Sequence, residues 1–237
     1  MEKKFYLTLI REALDKGDLT QDDLRNLLSP YEDKETPENL TETFYNWYLN
    51  LGIESLTKNK FNLTKCPFTS EEIKKAYLNN EFIIVIPKNI TSKQLLTLFN
   101  LNCIHDLDDK LIQYKVEIED TWIKVSALDI PEHLDRTCIE INRIYEDEEK
   151  STMNLPKYIV FMAWFFKINN KYPDVNYWNY LIASKYDRSG VLIAGYDDRN
   201  NALNVHGWKK NHPRETWLGS RYVKHCKRIE VRDETKF

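Results

Sequence analysis

A run of large apolar side chains near the middle of the chain limits the fold more than any other stretch. Residues 155–168 read LPKYIVFMAWFFKI, and eleven of these fourteen residues are apolar. A membrane-spanning helix needs about 20 such residues, so this run is too short to cross a bilayer. We interpret it as a helix that is buried on nearly all sides within a globular core.

Apolar residues at helical spacing predict three helices before residue 57. Two of them fall within residues 1–30, and the third contains Phe44 and Trp47 and ends at Gly52. The polar stretch 57–67 follows, and a polar stretch of this kind is typical of a boundary between structural units. The sequence therefore predicts a helical N-terminal region, residues 1–56, and an α+β main domain, residues 57–237.

The first part of the main domain has the pattern of a strand between two helices. Thr69 with Glu72, and Thr91 with Gln94, have the spacing of a capping box, which marks the start of a helix. Residues 82–86 (FIIVI) are continuously apolar and β-branched, as in a strand that is buried on both faces. No glycine-rich phosphate loop joins this strand to the helix after it, so a nucleotide-binding fingerprint is absent.

The acidic middle of the chain predicts a hairpin and a further helix. Residues 111–118 and 121–125 alternate as two paired strands do, and Asp129 is positioned to cap a helix that continues to Tyr145. The four carboxylates of residues 146–149 indicate a solvated loop rather than a metal site, because no nearby His or spaced Asp completes a ligand set. Together these patterns favour an α+β fold with N-terminal helices, small antiparallel sheet elements and the buried central helix.

The last third of the chain contains a second hairpin and then a basic segment rich in aromatic residues. Residues 191–196 and 202–208 are predicted to pair through the polar loop 197–201. In the second strand, alternation places Leu203 and Val205 on one face and Asn204, His206 and Trp208 on the other.

Charge is divided unevenly between two segments of the chain. Residues 103–150 contain fourteen acidic and six basic residues, a net charge of −8, whereas residues 206–228 contain seven basic residues and one acidic residue, a net charge of +6. Either the two segments pair with each other inside the molecule, or the basic segment is available to an anionic partner. Arg supplies paired donors to phosphate or carboxylate, and Trp or Tyr supplies a face on which a base or sugar stacks.

Our leading hypothesis from the sequence is a non-enzymatic protein that binds an anionic ligand or nucleic acid through this basic and aromatic surface. The residues we expect to contribute to anion binding are Arg188, His206, Trp208, Lys209, Lys210, His212, Arg214, Trp217, Arg221 and Lys224.

Two other functions stay open at this point. One is an enzyme that acts on a phosphorylated or carboxylated small molecule, with His206 or His212 as the acid–base group. In that case Arg188, Arg214 or Arg221 would hold the anionic group of the substrate. The other is a protein–protein adaptor whose acidic and basic segments match a partner or a second copy of the chain.

Motifs for several kinds of chemistry are absent from the sequence. It contains no closely spaced His or Cys ligands, no nucleophile elbow and no P-loop, so we expect neither a metal nor a cofactor. The four cysteines are far apart, and the N-terminus lacks the long apolar segment of a signal peptide. We therefore expect reduced thiols, no membrane association and a cytoplasmic location.

Overall fold

The computed structural model describes residue 16 and residues 36–108, 117–188 and 190–226. Six helices and nine strands lie in these ranges. The helices are α1 (Pro37–Asn50), α2 (Ile53–Thr57), α3 (Ser70–Leu78), α4 (Ser92–Leu98), α5 (Cys138–Asp147) and α6 (Leu155–Asn169). The strands are β1 (Glu81–Ile86), β2 (Cys103–His105), β3 (Thr121–Ser126), β4 (Ser151–Thr152), β5 (Trp178–Lys185), β6 (Gly190–Asp197), β7 (Ala202–Lys209), β8 (Leu218–Gly219) and β9 (Tyr222–His225).

The strands form two separate sheets, which confirms the predicted α+β class. The first sheet has the order β1-β3-β9-β4 and is antiparallel throughout. The second has the order β2-β7-β6-β5-β8, with antiparallel pairs in its centre and one parallel pair at each edge. Consecutive strands β5, β6 and β7 make up the middle of this second sheet, and it forms the floor of the site described below.

Helix α6 is the predicted central helix, and it is buried along most of its length. Asn154 caps its first turn by accepting a hydrogen bond from the Lys157 backbone N–H at 3.0 Å, and Pro156 occupies the first turn, where a missing N–H costs nothing. The helix ends where Asn170 adopts a left-handed conformation. It packs against strands of both sheets and carries ten buried residues, so the apolar run was correctly interpreted.

Helix α1 packs directly on this central core. The Phe44 ring lies 4.2 Å from the Trp164 ring of α6 and 5.6 Å from the Trp122 ring of β3, measured between centroids. The buried Tyr48 hydroxyl donates a hydrogen bond of 2.7 Å to the carbonyl of Val85. The described part of the N-terminal region thus shares its core with the main domain. The division at residue 56 stays a prediction, and the two helices predicted within residues 1–30 lie outside the described residues.

Several local predictions are confirmed by the backbone. Thr69 and Thr91 both form complete capping boxes at the starts of α3 and α4, and residues 82–86 lie in the buried strand β1. The chain reverses at Gly52, whose φ of +84° falls in the region that suits glycine, and α1 ends just before it.

Two predictions for the acidic middle of the chain are wrong. The helix begins at Cys138 with Thr137 as its N-cap, not at Asp129. The backbone between them is held elsewhere, because Glu132 exchanges both of its backbone hydrogen bonds with Ser220. His133 and Asp135 also have positive φ angles of 55° and 60°, which no helix accommodates.

The predicted hairpin before β3 is the second error. Residues 123–125 are bonded to β1 on one edge and to β9 on the other, so the expected pairing with residues 111–118 is wrong for them. Residues 109–116 themselves lie outside the described residues. Sequence pattern identified β3 but gave no information on its long-range partner β9, about 100 residues later.

The helices of the described ranges are between 5 and 15 residues long. None of these helices combines the length with the apolar character that a bilayer span requires.

Candidate functional site: an aromatic groove on the second sheet

The C-terminal hairpin presents aromatic side chains on one face of the second sheet. Antiparallel pairing places His206 opposite Ile193 and Trp208 opposite Val191. Leu203 and Val205 are fully buried on the other face, towards α6, so the predicted alternation is confirmed. Trp178 in β5 joins the same face as His206 and Trp208, because it packs on the ring of His206 at a centroid distance of 5.4 Å.

Helix α5 covers only part of this face. Its buried residues Cys138, Ile141 and Tyr145 form a second apolar core with Tyr180 and Leu218. Beyond the helix, the sheet face stays open as a groove with a volume of about 430 Å³. We call it the aromatic groove; its lining residues are Asp106, Trp178, Ile193, His206, Gly207, Trp208 and Trp217.

The three tryptophan rings of the aromatic groove form walls rather than a stack. Trp217 lies 6.2 Å from Trp178 with an interplanar angle of 72°, and 5.8 Å from Trp208 with an angle of 80°. Rings at such angles pack edge to face. All three tryptophans are half-buried, so each is held in place by the second core and still reaches the groove.

A glycine in the neighbouring strand allows one of these walls to form. A Cβ atom at Gly195 would lie 2.5 Å from the carbonyl oxygen of Tyr177 and 3.1 Å from the Trp178 ring. Only a residue without a side chain therefore lets Trp178 lie this close to the sheet.

One carboxylate stands at the edge of the aromatic groove. Asp106 Oδ1 lies 3.3 Å from Nδ1 of His206, and the side chains are 61% and 39% exposed. Asp106 is the one Asp or Glu among the lining residues, and no Lys or Arg lines the groove in the described part of the chain. The local charge is therefore negative when His206 is neutral.

Two polar side-chain atoms lie beneath the aromatic rings. They are Nε1 of Trp208 and the hydroxyl of Tyr180, both shielded from solvent. Burial, assisted by the nearby Cys138 thiol, raises the pKa of Tyr180 to about 12. The Trp208 indole N–H beside the Tyr180 hydroxyl acts in the opposite direction and lowers this pKa.

Several of the predicted anion-binding residues are instead paired within the molecule. Arg214 lies 2.5 Å from Glu140 at the start of α5. The Thr137 backbone N–H, which donates to this carboxylate, and then the Arg214 guanidinium lower the pKa of Glu140 to about 2. Lys224 binds the buried carboxylate of Glu81 at 2.8 Å.

Arg221 is the clearest case of an internal role. Its side chain is 0% exposed and forms a two-point ion pair with Asp174, which is equally buried. Its third guanidinium nitrogen donates to the carbonyl of Ser126 at 3.2 Å, and the guanidinium lies 4.7 Å from the Phe161 ring of α6. This arginine joins the first sheet, the central helix and the loop before β5, and it does not reach the surface.

The remaining predicted residues surround the aromatic groove or lie beyond it. His206, Trp208 and Trp217 line it, and the His212 ring contacts Trp208 at a centroid distance of 4.2 Å. Arg188, Lys209 and Lys210 form no ion pair with any residue that the structure describes. The ten predicted residues thus do not converge on one point.

Four of the seven residues that line the aromatic groove were missed from the sequence, and two of them, Trp178 and Asp106, supply an aromatic ring and the carboxylate. Trp178 lies in residues 175–186, whose aromatic pattern did not distinguish a strand from a helix. Asp106 belongs to the acidic segment and meets His206 through the parallel pairing of β2 with β7. The alternation of a β-strand through residues 178, 180 and 182 would have predicted the face of the sheet on which Trp178 lies. No local pattern in the sequence identifies the pairing of β2 with β7.

A larger cavity lies elsewhere, beside β3 and β9, and has a volume of about 720 Å³. Its lining includes Glu117, Asp120 and His225, but none of the ten predicted residues. Asp120 accepts hydrogen bonds from the backbone N–H groups of Thr64 at 2.7 Å and Lys88 at 2.9 Å, so this carboxylate holds three segments together. The cavities that contain His105, His206 and His225 include no arginine among their described lining residues.

The described part of the chain offers no site for a metal ion. It contains no group of three or more His, Cys, Asp or Glu side chains with the geometry to hold an ion. Comparison with protein-family models, curated proteins and solved structures finds no match to this chain.

Proposed function

We propose that this protein is a non-enzymatic binding protein and that its aromatic groove receives part of the ligand. The observation that supports this is the combination of three half-buried tryptophans and a carboxylate around an open groove of about 430 Å³. Ligand sites are concave and mostly apolar, with few polar groups that fix orientation. Trp is also strongly enriched where binding energy is concentrated.

The alternative enzymatic hypothesis receives less support from the geometry. It requires a histidine and two arginines within reach of one ligand. Arg221 is buried against Asp174 and Arg214 is paired with Glu140, while His206 lies in a groove without an arginine among the described lining residues. A binding role needs none of these groups to be rearranged.

The experiment we propose follows the indole N–H signals of the six tryptophans by two-dimensional NMR during titration with small ligands. The panel contains organic cations, nucleotides and sugars. Binding in the aromatic groove shifts the signals of Trp178, Trp208 and Trp217. The buried indoles of Trp122 and Trp164 serve as internal controls, because both rings lie in the main core. The proposal would be contradicted if no compound shifted the signals of the three groove tryptophans, or if the control signals of Trp122 and Trp164 shifted equally.

A second candidate function is the binding of an anionic partner, including nucleic acid, beside the aromatic groove. Three cations that form no ion pair with described residues favour it: Arg188, Lys209 and Lys210. Lys209 and Lys210 directly follow Trp208, at the end of β7.

The test of this second function is a titration with single-stranded DNA and RNA at several salt concentrations. Binding through phosphates weakens steeply as salt rises. Replacing both Lys209 and Lys210 by Glu is expected to abolish the interaction, whereas the distant control Lys171→Glu is expected to leave it unchanged. Absence of binding at low salt would remove this candidate and leave the groove proposal intact.

A further inference from the structure

We propose that the aromatic groove selects a quaternary ammonium group, such as the trimethylammonium head of choline. This inference rests on the proposed function, because it names the chemical class of ligand for the same site. Such cations are recognised through the negative faces of aromatic rings, with Trp the strongest partner. The aromatic groove supplies three Trp rings and the ring of His206 within one small volume.

The charge at the groove is the first reason for this choice. Asp106 is the one acidic residue among the lining residues, and its exposure of 61% leaves it accessible to a ligand. His206 contacts one of its oxygens, Oδ1, and no described residue donates a hydrogen bond to the other. A carboxylate at the edge of an apolar groove attracts a cation and repels phosphate or carboxylate.

The arrangement of the rings is the second reason. Trp217 stands at 72° to Trp178 and at 80° to Trp208, so the rings that line the groove lie at steep angles to one another and not in one plane. A nucleobase would need a flat exposed ring surface on which to stack. A roughly spherical trimethylammonium group has no flat face, so it can contact rings that stand at steep angles to one another. It also needs no hydrogen bonds, because its charge is covered by methyl groups.

The position of the basic residues is consistent with this selectivity. Lys224 is bound to Glu81, Arg214 to Glu140 and Arg221 to Asp174, and none of these three cations lines the aromatic groove. Lys209, which directly follows the lining residue Trp208, pairs with Gly190 at the start of β6 and is not one of the residues that line the groove.

The decisive measurement compares choline with 3,3-dimethylbutan-1-ol, its neutral isostere of nearly identical shape. Both are titrated against the full chain at pH 8, and binding is followed by the indole N–H signals. We expect the dissociation constant for choline to be at least tenfold lower, which corresponds to about 1.4 kcal/mol. Equal binding of the two compounds would overturn the inference while leaving the proposed groove binding in place.

Two variants separate the contribution of charge from that of shape. Asp106→Asn is expected to weaken choline binding about fivefold and to leave the neutral isostere unaffected, since only the carboxylate charge is removed. Asp198→Asn is the matched control, because Asp198 is an exposed acid in the loop between β6 and β7. Equal loss of choline affinity in the two variants would show that long-range charge, not the groove carboxylate, attracts the ligand.

A further variant tests the tryptophan wall. Trp217→Leu keeps an apolar side chain but removes the aromatic face, and we expect it to reduce the preference for choline over the isostere to less than threefold. Correct folding of the variant is checked by the unchanged indole signals of Trp122 and Trp164. A folded variant that keeps the full preference would overturn the inference.

If adenosine monophosphate shifts the groove signals and choline does not, the inference fails and groove binding survives. If no compound shifts them, both fail.

Discussion

Replacing Arg221 by Met should destabilise the whole molecule, although this residue stands in a segment that looks like a basic tail. The substitution leaves the Asp174 carboxylate buried with two remaining donors, the Tyr158 hydroxyl at 2.9 Å and the Asn179 amide at 2.7 Å. Removing one partner of a buried ion pair costs about 3–5 kcal/mol, because the other charge stays buried without compensation. The carbonyl of Ser126 also loses its donor.

The assay is urea unfolding followed by tryptophan fluorescence and circular dichroism. With an m-value of roughly 3 kcal/mol/M, the expected loss lowers the midpoint by about 1–1.7 M. Lys171→Met is the control, since its ion pair with Asp129 is more than half exposed and contributes at most about 1 kcal/mol. The double variant Arg221→Met with Asp174→Asn should lose less stability than the sum of the losses in the two single variants. A loss below about 1 kcal/mol for Arg221→Met would refute the reasoning.

Three further predictions concern local structure. Thr69→Ala removes the hydroxyl that accepts from the Glu72 backbone N–H and should cost about 1 kcal/mol in urea unfolding. The Thr137 backbone N–H and Arg214 lower the pKa of Glu140 to about 2, so the stability contributed by Glu140 is complete above its unfolded pKa of about 4.5. This contribution to the free energy of unfolding is lost as the pH falls towards 2. The free energy of unfolding of Glu140→Gln, measured between pH 2 and 5, should therefore fall less steeply than that of the unmodified protein. Gly219→Ala places a Cβ 2.3 Å from the Glu132 carbonyl oxygen and should reduce the thermal midpoint by several degrees, whereas Gly52→Ser, with open space but a positive φ, should reduce it less.

Local rules predicted the elements of this fold better than the way in which they pair. The central helix, the capping boxes at Thr69 and Thr91, and the second hairpin all follow from residues close together in sequence. The start of α5 was misplaced because Glu132 bonds with Ser220, a partner 88 residues away that no local pattern indicates. The same limitation applies to β3 and β9.

The candidate site was predicted in part, for a comparable physical reason. Strand alternation correctly placed His206 and Trp208 together, because a period of two depends on the backbone alone. Charge was less informative, since Arg221 and Lys209 are equally basic in the sequence and one is fully buried while the other is exposed. Whether a cation is buried depends on the position of its acid, here Asp174, and that position is a property of the tertiary structure.

The late insertion of β9 has a consequence for the synthesis of the chain. This strand lies between β3 and β4 in the first sheet, and the segment just before it, β8, lies at the edge of the second. The second sheet lacks its edge strand β8 until residue 219 has left the ribosome, and the first sheet lacks β9 until residue 225 has left it. Until then, β3 and β4 have unpaired edges. Nascent chains stalled upstream of residue 218 should therefore bind chaperones and resist native folding, however long they are held.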